Sequence, residues 1–253
     1  MDIVGRGTDL GADLVGVATI AQCLDRGISV DEGVLPGARS VISLAVSQRR
    51  AALNSADVAM AQYDTLHAYQ EVAHISHTLA RELAALGHDA VAVPAFIPLD
   101  MSDERQGMIG AVDHRGAAVL AGLGWYGQSG LLVTEGFGPR VRLGSILTTA
   151  ELLPTQPSAD GACPARCRAC VNSCPARALQ GEGRIDKQSC GKVIFAYGLR
   201  GLLGFARQLS AADSRERENL LRSRAMRELW QNFMSGVYYY CFRCQSSCPL
   251  GGA

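Results

Sequence analysis

The sequence CPARCRACVNSCP occupies residues 163–175, and a shorter run of the same kind, CFRCQSSCP, occupies residues 241–249. Each run ends in Cys-Pro, and one further cysteine, Cys190, stands between the runs. Closely spaced cysteines on a tight loop can bind three irons of a cubane cluster, while a distant cysteine binds the fourth. The pattern therefore predicts two [4Fe–4S] clusters.

In two-cluster ferredoxins, the last cysteine of each run binds the cluster of the other run. The same crossing here predicts two ligand sets, which use eight of the nine cysteines. The first set is Cys163, Cys167, Cys170 and Cys248, and the second set is Cys174, Cys190, Cys241 and Cys244. The remaining cysteine, Cys23, is expected to be a small buried residue.

The cysteine spacing departs from the ferredoxin pattern in two places. Three residues separate Cys163 from Cys167, where bacterial runs have two, so one residue is expected to bulge from the loop. Fifty residues separate Cys190 from Cys241, and the part from 192 to 236 is predicted to be a helical insertion. Capping residues near Asp213 and apolar residues at helical spacing support this prediction. We expect the insertion to pack over the clusters and exclude water.

Structural zinc is the main competing interpretation, because zinc also binds Cys-x2-Cys pairs. A disulfide framework fits less well, since such frameworks are typical of short secreted chains and residues 1–6 open no signal segment. The expected compartment is the reducing cytoplasm. The chain contains 24 lysines and arginines and 24 aspartates and glutamates, so its formal net charge is zero. The overall charge therefore does not favour nucleic acid over other partners. Apolar runs are too short to predict a membrane span.

Residues 1–153 are predicted to form a separate domain of mixed α and β structure, joined by a Pro- and Ser-rich linker to a cluster domain at 161–253. Segments 41–46 and 90–94 are β-branched runs that predict strands. Apolar residues step by three and four from Met60 to Leu86, which predicts a long helix closed by Gly87. Its histidines, at 67, 74 and 77, are expected to be solvent-facing or otherwise satisfied rather than to bind a metal.

A glycine-rich segment, AGLGWYGQSG, occupies residues 121–130. Its Gly-x-Gly-x-x-Gly pattern is not expected to bind a dinucleotide, because a helix-like stretch precedes it and a strand-like stretch follows, the reverse of the required order. Gly122, Gly124 and Gly127, together with Trp125, are expected instead to let the backbone approach a large flat ligand or bend tightly beside it.

These segments, with GADLVGVA at 11–18, GPRVRLGSILT at 138–148 and the two cysteine runs, resemble the epoxyqueuosine reductase family over nearly the whole chain. The resemblance implies an α/β (α+β) fold, in which a nitroreductase-like domain binds cobalamin and a ferredoxin-like domain holds two [4Fe–4S] clusters. No Asp-x-His-x-x-Gly stretch is present to supply a lower histidine ligand, so cobalamin is expected in the base-off form. FMN is the alternative cofactor, because the same architecture also binds flavin.

The chain departs from the family pattern at three points. Met108 stands at the offset of the family's catalytic aspartate, Gln128 replaces a common lysine, and the sequence ends at Ala253, before the family's helical-repeat region. These departures predict a substrate other than a large tRNA, or tRNA only with help from a partner. A small molecule or a corrinoid protein is expected instead.

The candidate proton donors near the glycine-rich segment are Tyr126, His114 and Asp113, of which the phenol is favoured because it donates without first being charged. Arg140 and Arg142 alternate on a predicted strand, so both are expected to point toward propionamides, phosphate or an anionic substrate, or else to form a solvated face. The expected function is that of an iron–sulfur reductase fed by a ferredoxin- or flavodoxin-type donor. The alternatives are an electron-transfer protein that reduces a partner's corrinoid and a two-cluster flavoprotein.

Overall fold

A computed structural model describes residues 1–96, 100, 102, 110–156 and 161–252. The strands are β1 (Leu14–Thr19), β2 (Ser40–Ser47), β3 (Ala90–Val93), β4 (Trp125–Tyr126), β5 (Leu132–Val133), β6 (Val141–Thr148), β7 (Leu179–Gly181) and β8 (Arg184–Ile185). The helices are α1 (Ile3–Asp9), α2 (Ile20–Asp25), α3 (Arg50–Leu53), α4 (Val58–Ala85), α5 (His114–Leu120), α6 (Ala169–Ser173), α7 (Lys187–Ile194), α8 (Leu199–Ala211), α9 (Ser214–Leu221), α10 (Arg224–Ser235) and α11 (Arg243–Ser246). Met108 and linker residues 157–160 lie outside the described residues.

The first half is built on a four-stranded antiparallel sheet with the strand order β1-β2-β6-β3. Strand β2 is buried along its whole length, because helices cover both faces of the sheet. Ile42 and Leu44 pack toward α4, whereas Val41 and Ala45 pack toward the α5 side. This alternation follows from the two-residue period of a strand. The predicted strands at 41–46 and 90–94 are both confirmed.

Helix α4 covers one face of the sheet with an apolar stripe that includes Val72, Ile75 and Leu79. The helix begins after Asp57, whose carboxylate accepts a hydrogen bond from the Ala59 N–H. It ends just before Gly87, which has a φ of +88°. Such a left-handed residue ends many helices, as predicted. The helix histidines at 67, 74 and 77 are exposed, and Cys23 is fully buried.

The second half consists of short elements around the cysteine runs. Helix α6 in the first run packs against α11 in the second, and β7 and β8 form a small hairpin. The insertion is helical as predicted, and Asp213 forms a capping box with Glu216 at the start of α9. Helix α10 is tied to the segment before Cys241, because the Tyr240 hydroxyl lies 2.8 Å from Glu228. Its Trp230 and Phe233 are exposed, so this side of α10 faces solvent rather than the cysteines.

Buried contacts join the two halves. Gln245 of α11 is 5% exposed, and its side-chain amide donates to Gln48 at 3.1 Å and to the Pro139 carbonyl at 2.8 Å. Leu53 and Ala61 of the first half and Phe242 of the second half form a small shared apolar cluster. The predicted boundary near 153–161 is therefore crossed by contacts, although the main apolar core belongs to the first half.

Candidate functional site

The cysteines of the two runs and Cys190 lie close to one another. Burial raises the pKa of Cys170, and so do the nearby Cys248, Cys163 and Cys167. Burial likewise raises the pKa of Cys190, with further contributions from Cys241 and Cys174. The pKa of Cys244 is raised to about 12 by burial and by neighbours that include Cys241 and Cys190. Cys170 also contributes to the shift of Cys244, ahead of Cys174, so these proximities agree with the crossed sets without separating them, and the assignment of each ligand remains a prediction.

The first set surrounds a cavity beside the glycine-rich segment. The cavity measures about 330 Å³ including the solvent at its mouth. It is lined by the four cysteines of the first set and by residues that include Gly127, Gln128, Val133, Cys244 and Leu250. Cys244 belongs to the second set and also lies near Cys170, so the two sets adjoin. The first set is therefore the one that faces the glycine-rich segment of the first half.

All nine cysteines are free thiols, a donor set that suits iron–sulfur clusters and structural zinc alike. Within the described residues, no three His, Cys, Asp or Glu side chains are placed to hold a single metal ion. The Gln128 N–H lies 3.4 Å from the Cys163 sulfur, and the Ala178 N–H lies 3.3 Å from the Cys174 sulfur. Such N–H···S contacts are common around cluster sulfurs and tune their potentials.

The extra residue in the first run is accommodated by a local turn. Arg166 is exposed and has a φ of +61°, and the Cys167 N–H donates to the Pro164 carbonyl at 2.9 Å. A left-handed conformation is uncommon for a residue other than glycine. The bulge expected between Cys163 and Cys167 is therefore present, and Cys163 still lines the cavity.

The glycine-rich segment forms a helix end followed by a tight hairpin. Gly122 has a φ of +80° and ends α5 in a Schellman motif, with the Leu123 N–H bonded to the Ala118 carbonyl. A Cβ atom on Gly124 would collide with the Val133 carbonyl of the facing strand. The close approach at Gly124 is thus to the protein's own hairpin, which differs from the expected approach to a ligand. The helix α5 before these glycines and the strand β5 after them confirm the predicted order of elements, which is the reverse of that in a dinucleotide loop.

Two other residues of the segment face the cluster half. A Cβ atom on Gly127 would lie 3.6 Å from the Cys163 sulfur. The Trp125 ring packs against the backbone of Gly161, and its indole N–H is buried without a hydrogen-bond partner. A buried unpaired donor is unusual in a native protein. The cofactor-binding roles of Gly122, Gly124, Trp125 and Gly127 remain predictions.

The three candidate proton donors lie together at the start of α5. Asp113 caps this helix by accepting hydrogen bonds from the N–H groups of Arg115 and Gly116, and the Tyr126 hydroxyl lies 3.4 Å from its other oxygen. Burial and the Asp113 charge raise the pKa of Tyr126 to about 12, so the phenol keeps its proton at neutral pH. Burial lowers the pKa of His114, whose Nδ1 lies 2.8 Å from the Ser145 hydroxyl.

Arg140 and Arg142 point the same way, as expected, but toward the cluster half of the protein. Arg140 is 1% exposed and donates to the carbonyls of Leu250, at 2.9 Å, and Gly251. The Arg142 guanidinium lies 5.3 Å from the ring centres of both Tyr69 and Tyr239. These contacts occupy both side chains, so neither forms the solvated face or the open anion site that the alternation predicted.

The structure adds residues that the sequence patterns did not single out. Gln245 links Gln48, Pro139 and Arg142, and Tyr239 stacks between the halves with Tyr69. Their only sequence signal is position, since both stand within a few residues of a second-set cysteine. No helix within the described residues is long and apolar enough to cross a membrane.

Charge is distributed unevenly between the halves, which the neutral total conceals. Residues 161–253 contain 14 lysines and arginines and 6 aspartates and glutamates, a net charge of +8. Residues 1–160 contain 10 and 18, a net charge of −8. The expected absence of a strong net electrostatic field therefore holds for the whole chain but not for either half taken separately.

No family model matches the chain. It is 31% identical over 140 residues to the epoxyqueuosine reductase of Lactococcus garvieae, a match that covers 55% of this chain and 32% of that protein. The structure of the Streptococcus thermophilus epoxyqueuosine reductase superimposes with a TM-score of 0.56 and 18% identity, covering all of this chain and 66% of that one. The structure of a reductive dehalogenase, described as suggesting a mechanism for B12-dependent dehalogenation, superimposes with a TM-score of 0.58 and 19% identity. This match covers 76% of this chain and 28% of that one.

The sequence match spans about a third of that curated relative. At 18% and 19% sequence identity, the two structural matches establish a shared fold and nothing further. Sequence similarity and fold nevertheless agree with the resemblance that the motifs predicted. The chain is therefore a sequence relative of the epoxyqueuosine reductases and has the mixed α/β fold found in them and in reductive dehalogenases.

Proposed function

We propose that this chain is an iron–sulfur oxidoreductase whose two [4Fe–4S] clusters deliver low-potential electrons to a base-off cobalamin, which reduces a substrate. The observation that carries the proposal is the cavity beside the glycine-rich hairpin, which is lined by cysteines of both runs, namely Cys163, Cys167, Cys170 and Cys248. The two halves would then correspond to a nitroreductase-like and a ferredoxin-like domain. Clusters supply single electrons at low potential, and a reduced corrinoid can act as a nucleophile or electron donor.

The chain's own residues have separable tasks in this proposal. The cysteines bind the clusters, and the hairpin that contains Gly124 and Gly127 closes the first-set cavity on the side of the first half. Tyr126 holds a proton at its hydroxyl, and Asp113 orients that hydroxyl from the start of α5. The raised pKa of Tyr126 makes it a weak acid that donates only to a strongly basic centre, such as a carbanion or alkoxide.

The partner that suits the cluster half is an acidic electron-donor protein of the ferredoxin or flavodoxin type. Arg177, Lys187, Lys192 and Arg243 are exposed and stand within three residues of a second-set cysteine. No aspartate or glutamate does so. Opposite charge accelerates the association of electron-transfer partners. The substrate remains a small molecule or a corrinoid protein, and tRNA binding would appear as competition for the same basic surface.

Anaerobic reconstitution followed by absorption spectroscopy tests the function. The protein should contain about eight irons and about eight sulfides per chain. Added cobalamin should bind one per chain and shift to its base-off spectrum. Tight binding of FMN with no binding of cobalamin would support the two-cluster flavoprotein instead. Clusters with neither cofactor would support the electron-transfer protein that serves a partner's corrinoid.

A further inference from the structure

Arg140 is the most deeply buried charged side chain next to the cysteines. It is 1% exposed, although it belongs to the first half and precedes β6. Its guanidinium donates to three carbonyls of one loop, those of Cys248 at 3.4 Å, Leu250 at 2.9 Å and Gly251. That loop begins at Cys248, the first-set cysteine supplied by the second run. Arg140 thus fixes the backbone that carries this sulfur.

The charge of Arg140 has no carboxylate partner within the described part of the chain. The titratable groups near it are Arg50, which repels it, and Cys248. Its Nε atom is buried and makes no hydrogen bond. A buried cation is costly unless a negative charge and hydrogen bonds compensate for it. The three carbonyl dipoles compensate in part, and among the described residues Cys248 is the nearby group that becomes negative when it binds a cluster as a thiolate.

Four thiolates give a bound cluster a net negative charge, which grows when the cluster accepts an electron. A fixed cation nearby stabilises the more negative state, and the potentials of such clusters depend on net charge and hydrogen bonding. Arg142, two residues along, offers a contrast. Its guanidinium lies between two tyrosine rings and reaches Gln245 rather than the Cys248 loop.

We propose that Arg140 is a positioning residue that supplies the buried counter-charge of the first-set cluster and thereby raises its reduction potential. The step concerned is the addition of one electron, supplied in the test by dithionite, and no bond forms or breaks. The inference rests on the proposed function, because it requires a cluster on the first set. Its consequence is that the cluster that faces the glycine-rich hairpin holds an added electron more readily than it would without this charge.

Redox titration of the full-length, reconstituted protein, followed by electron paramagnetic resonance, tests the inference. In Arg140→Met, reduction of the first-set cluster should become at least tenfold less favourable, which is about 59 mV for a one-electron couple. The second-set cluster serves as an internal reference and should not move. Arg140→Lys keeps the positive charge, so its first-set potential should differ from that of the wild type by less than about 59 mV. Arg142→Met, the matched control, should leave the first-set potential unchanged.

Several results would overturn the inference while leaving the proposed function intact. These are unchanged potentials in Arg140→Met, equal shifts of both clusters, and a shift in Arg140→Lys as large as that in Arg140→Met. If Arg140→Met does not assemble, the iron content of Arg140→Lys decides. Retention of all the wild-type iron in Arg140→Lys supports the counter-charge role of Arg140, and loss of the first-set cluster contradicts that role. Wild-type protein without iron–sulfur clusters would instead contradict the proposed function itself.

Discussion

The two halves of the molecule are stabilised in different ways. Among the described residues, 38 hydrophobic side chains are buried, and 32 of them lie in residues 1–156. Only 6 lie in residues 161–252. Apolar burial is the dominant favourable contribution to folding, so the first half has a core of its own. If the second half holds the proposed clusters, its stability depends on them and on contacts with the first half, as in small metal-binding domains.

Removal of iron should produce the largest effect. Chelation under anaerobic conditions should unfold the cysteine runs, and helices α8 and α10 should lose amide-exchange protection, because little apolar core holds them. Strands β2 and β6 should keep theirs, since both are buried between helix layers. Hydrogen exchange with and without iron measures both regions at once. Equal protection loss in the two halves would show that they form one cooperative unit.

Replacement of Gln245 by alanine should destabilise the protein less than removal of iron does, by weakening the contact between the two halves. The change leaves the Gln48 side chain and the Pro139 carbonyl without their buried partner. The free energy of unfolding should fall by about 1–3 kcal/mol, and the transition of the second half should separate from that of the first. Denaturant titration of the holoprotein measures this. The exposed Gln231→Ala is the matched control, and an equal loss in both variants would refute a specific role for Gln245.

Tyr126→Phe should have the smallest effect on stability, and only at high pH. The pKa of this phenol is about 12 in the folded protein and about 10 when unfolded. Ionisation therefore favours the unfolded state as the pH rises from about 10 to about 12. The phenylalanine variant should lose less stability than the wild type across this window, with equal behaviour near neutrality. Thermal melts at several pH values measure the difference, and parallel curves would show that the phenol is not perturbed.

Much of the first half could be predicted from the sequence because its signals are local. The apolar spacing from Met60 onward and the β-branched run at 41–46 each record which side chains face the core. The cysteine spacing likewise predicted that sulfurs of the two runs lie close together, whereas the two ligand sets themselves remain predictions. These features depend on neighbours within one element or one motif.

The remaining features depend on residues far apart in the chain. Arg140 contacts Gly251 across 111 positions, and Gln245 contacts Gln48 across 197, so no local pattern reveals either pair. Gly124 indicated a close approach, but a glycine does not identify what approaches it. In the structure it is Val133 of the same hairpin. The uneven charge was present in the sequence and emerges only when the halves are counted separately.

The crossed assignment of the cysteines tests the central claim most directly. Cys248→Ala should damage the cluster whose other ligands lie in the first run, and Cys174→Ala should damage the cluster whose other ligands lie around the second. Iron content with electron paramagnetic resonance should show one intact cluster in each variant, and a different one in each case. Loss of the same cluster in both variants, or stoichiometric zinc in wild-type protein kept free of oxygen, would contradict the account.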